Sequence, residues 1–266
     1  MQPASRASRM DATDSLRWTS AACSHPGRVR SVNEDACIEQ PDNGLWAVAD
    51  GMGGHSLGEY ASRLAVRCLV DLPAGTAIEE RVREIEQRLH DANRRLRDEA
   101  ERRDVRVIGT TVAALVAFGR RAACVWAGDS RVYLCRDGRL RQLTRDHSQL
   151  EAVRARRAAS SDDTLHRPPS NWITRALGGS DHLQLDSVTL DVLDGDVFLL
   201  CSDGLSNELS DLCITESLLP GHCRLASEAL VDAALERGGR DNITAVVVRA
   251  DDLGSPDRTV KLRLSA

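Results

Sequence analysis

Four aspartates flank apolar, strand-like runs in this chain. Asp50 follows the run 45–49, Asp129 follows 124–128, Asp203 follows 197–202, and Asp241 stands just ahead of 243–248. A carboxylate beside a buried strand is costly unless something pairs with it, and four on separate strands cannot all pair with one another. The fold must therefore bring these strand ends to shared counter-charge. A cluster of hard divalent cations supplies it most cheaply.

The rest of the pattern limits how the strands are arranged. Apolar runs at 18–24, 35–40 and 44–50 predict strands, followed by two helices, 58–69 and 77–103. The first carries Ala61, Leu64, Ala65, Cys68 and Leu69 on one stripe. The second carries Ile78, Val82, Ile85, Leu89, Ala92 and Leu96 in four- and three-residue steps, the pattern of an amphipathic helix lying on a sheet. Strands follow at 109–118, 121–128 and 131–136, with hairpin signals at Gly119-Arg120 and Asp137-Gly138. After a helical piece near 147–157 and a polar loop, strands resume at 183–192 and 196–202. A helix at 223–237, with Leu225, Ala226, Ala229, Leu230, Ala233 and Ala234 on one side, then precedes a last strand at 242–249. Hairpin spacing implies mainly antiparallel pairing, and helices arriving in blocks imply segregated layers, an α+β fold. The chain reads as a tail over 1–16, one domain over 17–252 and a second tail over 253–266.

Composition narrows the function. A net charge of −5 argues against general nucleic-acid binding, and 3% aromatic residues leave little for a base-stacking surface. Eight cysteines include no C-x-x-C pair, which argues against a zinc knuckle. With no signal-like apolar segment and no membrane-length run, free thiols in a reducing cytoplasm are expected. Lys261 is the one lysine, so arginine is the default cation of this chain.

On their own, Asp50-Gly51 and Asp203-Gly204 each read as a hairpin turn. Asp50-Gly51, however, leads into Met52-Gly53-Gly54-His55, where glycine lets the backbone approach a ligand and frees a carbonyl to bind it. Arg30 lies four residues before the pair Glu34-Asp35, and its planar fork suits a phosphate. Carboxylates without a His or Cys set favour Mg²⁺ or Mn²⁺ over Zn²⁺. Two such ions about 3.5–4 Å apart share a bridging water, lower its pKa and present hydroxide to a phosphorus in line. No C-x₅-R phosphate loop is present for a covalent alternative.

Eight ordered motifs carry a resemblance: Arg30 with Asn33-Glu34-Asp35, Asp50-Gly51-Met52-Gly53-Gly54-His55, Gly109-Thr110-Thr111, Gly128-Asp129-Ser130-Arg131, Leu143-Thr144-Arg145-Asp146-His147-Ser148, Ile173-Thr174-Arg175-Ala176-Leu177-Gly178, Ser202-Asp203-Gly204 and Asp241-Asn242. Across about 18–250 the chain resembles the metal-dependent Ser/Thr protein phosphatases of the protein phosphatase 2C family, in their compact bacterial form. The resemblance implies a four-layer α-β-β-α sandwich, two antiparallel sheets flanked by helices. It implies that Asp50 bridges two Mn²⁺ or Mg²⁺ ions, that the Gly51 carbonyl binds the second, and that Asp203 and Asp241 complete the first. Glu34 reaches the second through water, Asp35 and Asn242 give outer support, and Asp129 with Asp203 forms a third, weaker site. The alternative for Asp129 is a plain turn carboxylate.

Arg30 is implied to bind the substrate phosphate. His55 is a candidate general acid or a structural loop residue, since Met52 stands where many eukaryotic relatives have histidine. Arg154, Arg156 and Arg157 either contact phosphoproteins or form a solvated face. The implied partners are a phosphorylated protein, an opposing Ser/Thr kinase and a forkhead-associated protein of type VI secretion. A non-catalytic phosphoprotein-binding relative is the alternative, weighed down by the complete carboxylate set. A two-metal nuclease is disfavoured by the acidic balance.

Overall fold

The computed structural model describes residues 16–53, 56–73, 75, 77–153, 172–252 and 254. Eleven strands, five α-helices and one 3-10 turn (Pro41–Asn43) are named among them. The strands are β1 (Leu16–His25), β2 (Asp35–Gln40), β3 (Leu45–Met52), β4 (Gly109–Thr110), β5 (Val112–Phe118), β6 (Arg121–Ala127), β7 (Arg131–Arg136), β8 (Arg139–Gln142), β9 (Asp186–Asp191), β10 (Val197–Cys201) and β11 (Ile243–Asp252). The helices are α1 (Ser56–Arg67), α2 (Ile78–Arg102), α3 (Asp203–Ser206), α4 (Asp211–Leu218) and α5 (Cys223–Glu236). One sheet runs β1-β11-β10-β7-β8 and the other β2-β3-β5-β6-β9, with β4 added beside β3. Neighbouring strands pair antiparallel.

Alternation along strands buried on both faces divides the apolar core into three layers. In β3, Trp46 and Val48 point between the sheets while Leu45, Ala47 and Ala49 meet α1 and α2. In β10, Phe198 and Leu200 point between the sheets while Val197, Leu199 and Cys201 meet α4 and α5. The result is the α-β-β-α sandwich, with Trp18 tilted against Trp46 at 5.3 Å in the inter-sheet layer. Among the described residues no helix is long and apolar enough to cross a membrane, and the eight cysteines are free.

The differences from the sequence reading have local causes. Leu16 is buried in β1, although it falls in the stretch read as a tail. Asp50-Gly51 lies inside β3 and Asp203-Gly204 opens α3, so neither is a hairpin turn. Asp137-Gly138 is one, with φ of 51° and 71° at its two residues. The buried face of α5 is Cys223, Ala226, Ser227, Leu230, Val231 and Ala234. Leu225, expected there, is 57% exposed. Ser227 fits the face because its hydroxyl donates to Arg224 O (3.0 Å), which satisfies it without solvent. Helix α4 and strand β8 went unread, one short and weakly patterned, the other the exposed sequence Arg139-Leu140-Arg141-Gln142. The expected strand 183–192 begins only at Asp186, and the expected helix near 147–157 is described as helical over 149–153. His55 and the arginine-rich stretch 154–163 lie outside the described residues.

Candidate metal centre

The two sheets meet at one end through their aspartates. Asp50, near the end of β3, is in register with Asp35 at the start of β2. In the other sheet β10 ends at Cys201 opposite Ala245, so Asp203 just past it lies near Asp241-Asn242 just before β11. Asp35 closes the gap between sheets: its Oδ2 accepts from Ser202 Oγ (2.8 Å) and Thr244 Oγ1 (2.7 Å). Asp50 and Asp203 then stand close enough across the sandwich for each to perturb the ionisation of the other.

Hydrogen bonds to the backbone of Asp50 and to the carboxylates of Asp203 and Asp241 hold these residues in place. Asp50 N donates to Thr111 Oγ1 (3.0 Å), Thr111 N donates to Asp50 O (2.9 Å), and Thr110 Oγ1 donates to the same carbonyl (2.8 Å). Thr111 Oγ1 also meets Ser130 Oγ at 2.7 Å, which ties the β3 end to the Asp129 turn. Asn242 Oδ1 accepts from Glu34 N (2.8 Å), and its Nδ2 donates to Pro26 O and Val32 O (both 2.9 Å), shaping the loop that carries Arg30. Arg30 Nη2 donates to Asp241 Oδ2 at 2.9 Å. Asn207 Nδ2 donates to Asp203 Oδ2 at 3.1 Å. A Cβ on Gly51 would run into the Gly58 carbonyl, so glycine is required there by close approach.

This concentration of carboxylates is electrostatically unfavourable by itself. Burial, then the charges of Asp35, Asp203, Asp129 and Asp241, pushes Asp50 well above the ordinary carboxylate range. Burial pushes Asp35 up to about 7 against the pull of Thr244 and Ser202. Asp129 rises to about 7 through burial and the charges of Asp203 and Asp146, and Asp203 rises through burial and Asp241. Arg131 does not neutralise them directly, because Asp146 grips it at 2.9 and 2.6 Å. One oxygen of Asp35 and one of Asp129 are buried with no hydrogen-bond partner. Among the described residues no three His, Cys, Asp or Glu side chains are already closed tightly around one point. Asp241 in particular faces Arg30. The fit to an ion therefore rests on the all-oxygen donor set, the mutual repulsion and the orphaned buried oxygens, which suit hard divalent cations.

The structure brings together Arg30, Glu34, Asp35, Asp50, Gly51, Asp129, Asp203, Asp241 and Asn242. The sequence reading missed Thr111, Ser202 and Thr244 as supports. Each sits within a quoted motif or run, but a hydroxyl on a strand gives no sign of what it will bond.

A model of the protein phosphatase 2C family matches residues 25–237. The chain belongs to that family. It is 35% identical over 235 residues to the serine/threonine phosphatase stp of Listeria monocytogenes, covering 85% of this chain and 93% of that one. It is 35% identical to PstP of Mycobacterium tuberculosis over 87% of this chain, but spans only 45% of that relative's length. Among solved structures, PppA, described as a regulatory component of type VI secretion in Pseudomonas aeruginosa, shares 43% identity and a TM-score of 0.82. That match covers 88% of this chain and 97% of PppA. The catalytic domain of PstP, solved with two manganese ions, matches at 34% identity and a TM-score of 0.78, over 90% of this chain and all of that one. Within this protein phosphatase 2C fold, the carboxylate end of the sandwich is the candidate active site.

Proposed function

We propose that the chain hydrolyses phosphoserine and phosphothreonine in a protein substrate, using Mn²⁺ or Mg²⁺. The observation that carries this reading is the meeting of Asp50 from one sheet with Asp203 and Asp241 from the other, beside the Arg30 guanidinium. Asp50 would be shared by two ions, with Asp203 and Asp241 on one and the Gly51 carbonyl and Glu34, through water, on the other. Asp129 with Asp203 would hold a third. Such ions supply an activated water and offset charge on the phosphoryl oxygens.

The chain's own residues do the rest. Arg30 turns from Asp241 to grip the phosphate and fix its orientation. Asp35 and Asn242 keep the two sheets and the Arg30 loop in register behind it. His55 is the candidate proton donor to the leaving oxygen. Relatives named as Ser/Thr phosphatases support the substrate class, and the likeness to PppA supports a place in type VI secretion control. There the reading assigns a cytoplasmic enzyme opposing a Ser/Thr kinase, with a forkhead-associated protein as the first substrate to assay. The test is phosphate release from a phosphothreonine peptide. Release with Mn²⁺ or Mg²⁺ and none in EDTA is expected; release that persists in EDTA rules the mechanism out.

A further inference from the structure

Asp129 owes its place to a turn that another residue holds. Strand β6 ends at Ala127, and Gly128, at φ 116°, turns the chain into Asp129. His147 grips that turn twice. Its backbone N donates to Gly128 O at 2.8 Å, and its ring Nδ1 accepts from Gly128 N at 3.2 Å.

The acceptor role of Nδ1 settles the tautomer. A neutral imidazole that accepts at Nδ1 carries its proton on Nε2. Nε2 lies 3.0 Å from Asp186 Oδ2 and so donates to it. Arg175 Nη1 is 3.2 Å from the same nitrogen, but with no lone pair free there it donates to Asp186 Oδ1 at 2.8 Å instead. The ring also stacks on Trp126, with centroids 6.0 Å apart and planes at 14°. Trp126 is in turn fixed by donation from Nε1 to Arg145 O at 2.9 Å. Burial lowers the pKa of His147, in keeping with a neutral ring.

His147 and the two residues after it tie the chain before 154 to the chain after 171. His147 O accepts from Thr174 N at 2.7 Å, Ser148 pairs with Ile173, and Gln149 N donates to Trp172 O at 2.8 Å. A ring so placed touches none of the proposed ion ligands, yet it fixes the backbone of one of them.

The geometry points to His147 as the positioning residue for Asp129: its neutral, Nε2-protonated ring sets the Gly128 turn, and thereby the affinity of the ion that Asp129 holds. This rests on the reading of Asp129 as a ligand. Removing such a support weakens an ion by about 10- to 100-fold where the support orients a ligand.

The test is a Mn²⁺ titration of the metal-stripped full chain, resolving tight and weak sites by the free-ion electron paramagnetic resonance signal. Three variants are compared. His147→Asn places an amide oxygen near the Nδ1 position and keeps an acceptor for Gly128. His147→Gln reaches only toward the Nε2 position and keeps the Asp186 contact. Asp129→Asn removes the ligand itself. Asp129→Asn is expected to abolish the weak site. His147→Gln weakens that site by about tenfold or more while His147→Asn largely retains it, and the tight sites stay unchanged in both. A weak site intact in His147→Gln but lost in Asp129→Asn overturns the role of His147 alone. Equal weakening in both His147 variants, with equally lowered melting temperatures, also overturns it by reducing His147 to a packing residue. A titration unchanged in Asp129→Asn removes the ion itself, and with it both readings.

Discussion

At the scale of single residues, the site is a set of carboxylates, of which Asp35 and Asp203 are held by neutral donors and Asp241 by the Arg30 guanidinium. Asp35 shows this best: two hydroxyls, from Ser202 and Thr244, hold one oxygen while the other stays unpartnered. Asp203→Asn keeps the shape of the side chain and removes its charge. It is therefore expected to abolish phosphate release with little change in melting temperature; full turnover in that variant would show that Asp203 is misassigned. Arg30→Ala is expected to act mainly on KM, lowering kcat/KM by about 10- to 100-fold for the loss of one charge-assisted contact. An unchanged KM in steady-state assays would take Arg30 out of the phosphate site. The aspartates were legible because a charge at the end of an apolar run is anomalous wherever it occurs. Thr111, Ser202 and Thr244 were not, because threonine and serine are ordinary on strands and their partners come from 61, 167 and 209 residues away.

At the scale of elements, long periodic segments could be read and short ones could not. Helix α2 buries Ile85, Leu89, Ala92 and Leu96, the stripe its sequence displays. Helix α4 has only Ile214 and Leu218 buried, too few for a period. Its start was still marked, since Ser210 accepts from Cys213 N at 3.4 Å as an N-cap. Ser210→Ala is expected to cost about 1 kcal/mol in denaturant unfolding, and no loss would mean the cap contributes nothing. On α5 the expected Ala226, Leu230 and Ala234 are buried, whereas Leu225 and Ala229 face outward. Where the turn after β6 meets the start of β9, His147 gives the fold a pH dependence. Its pKa is lower folded than unfolded, so in the window below about 6.5 the unfolded chain binds the extra proton and stability falls as pH drops. The acid-side slope of melting temperature against pH is expected to flatten in His147→Asn; an identical slope would assign it to other groups.

At the scale of the whole molecule, the sandwich is a device for bringing like charges from two sheets together. β2 and β3 deliver Asp35 and Asp50, β10 and β11 deliver Asp203 and Asp241, and the inter-sheet layer of Trp46, Phe198 and Leu200 holds the sheets in contact. Ions that bind only the folded chain must then stabilise it, by about 2.7 kcal/mol at a hundred times their dissociation constant. Melting temperature is expected to rise with Mn²⁺ and return in EDTA; no shift would separate ion binding from folding. The most direct test of the central claim is the Mn²⁺ stoichiometry of the metal-stripped chain by calorimetric titration. At least two ions per chain are expected, with fewer in Asp50→Asn. Stoichiometric binding left unchanged in that variant, or none in the unaltered chain, would contradict a metal centre at the meeting of the two sheets.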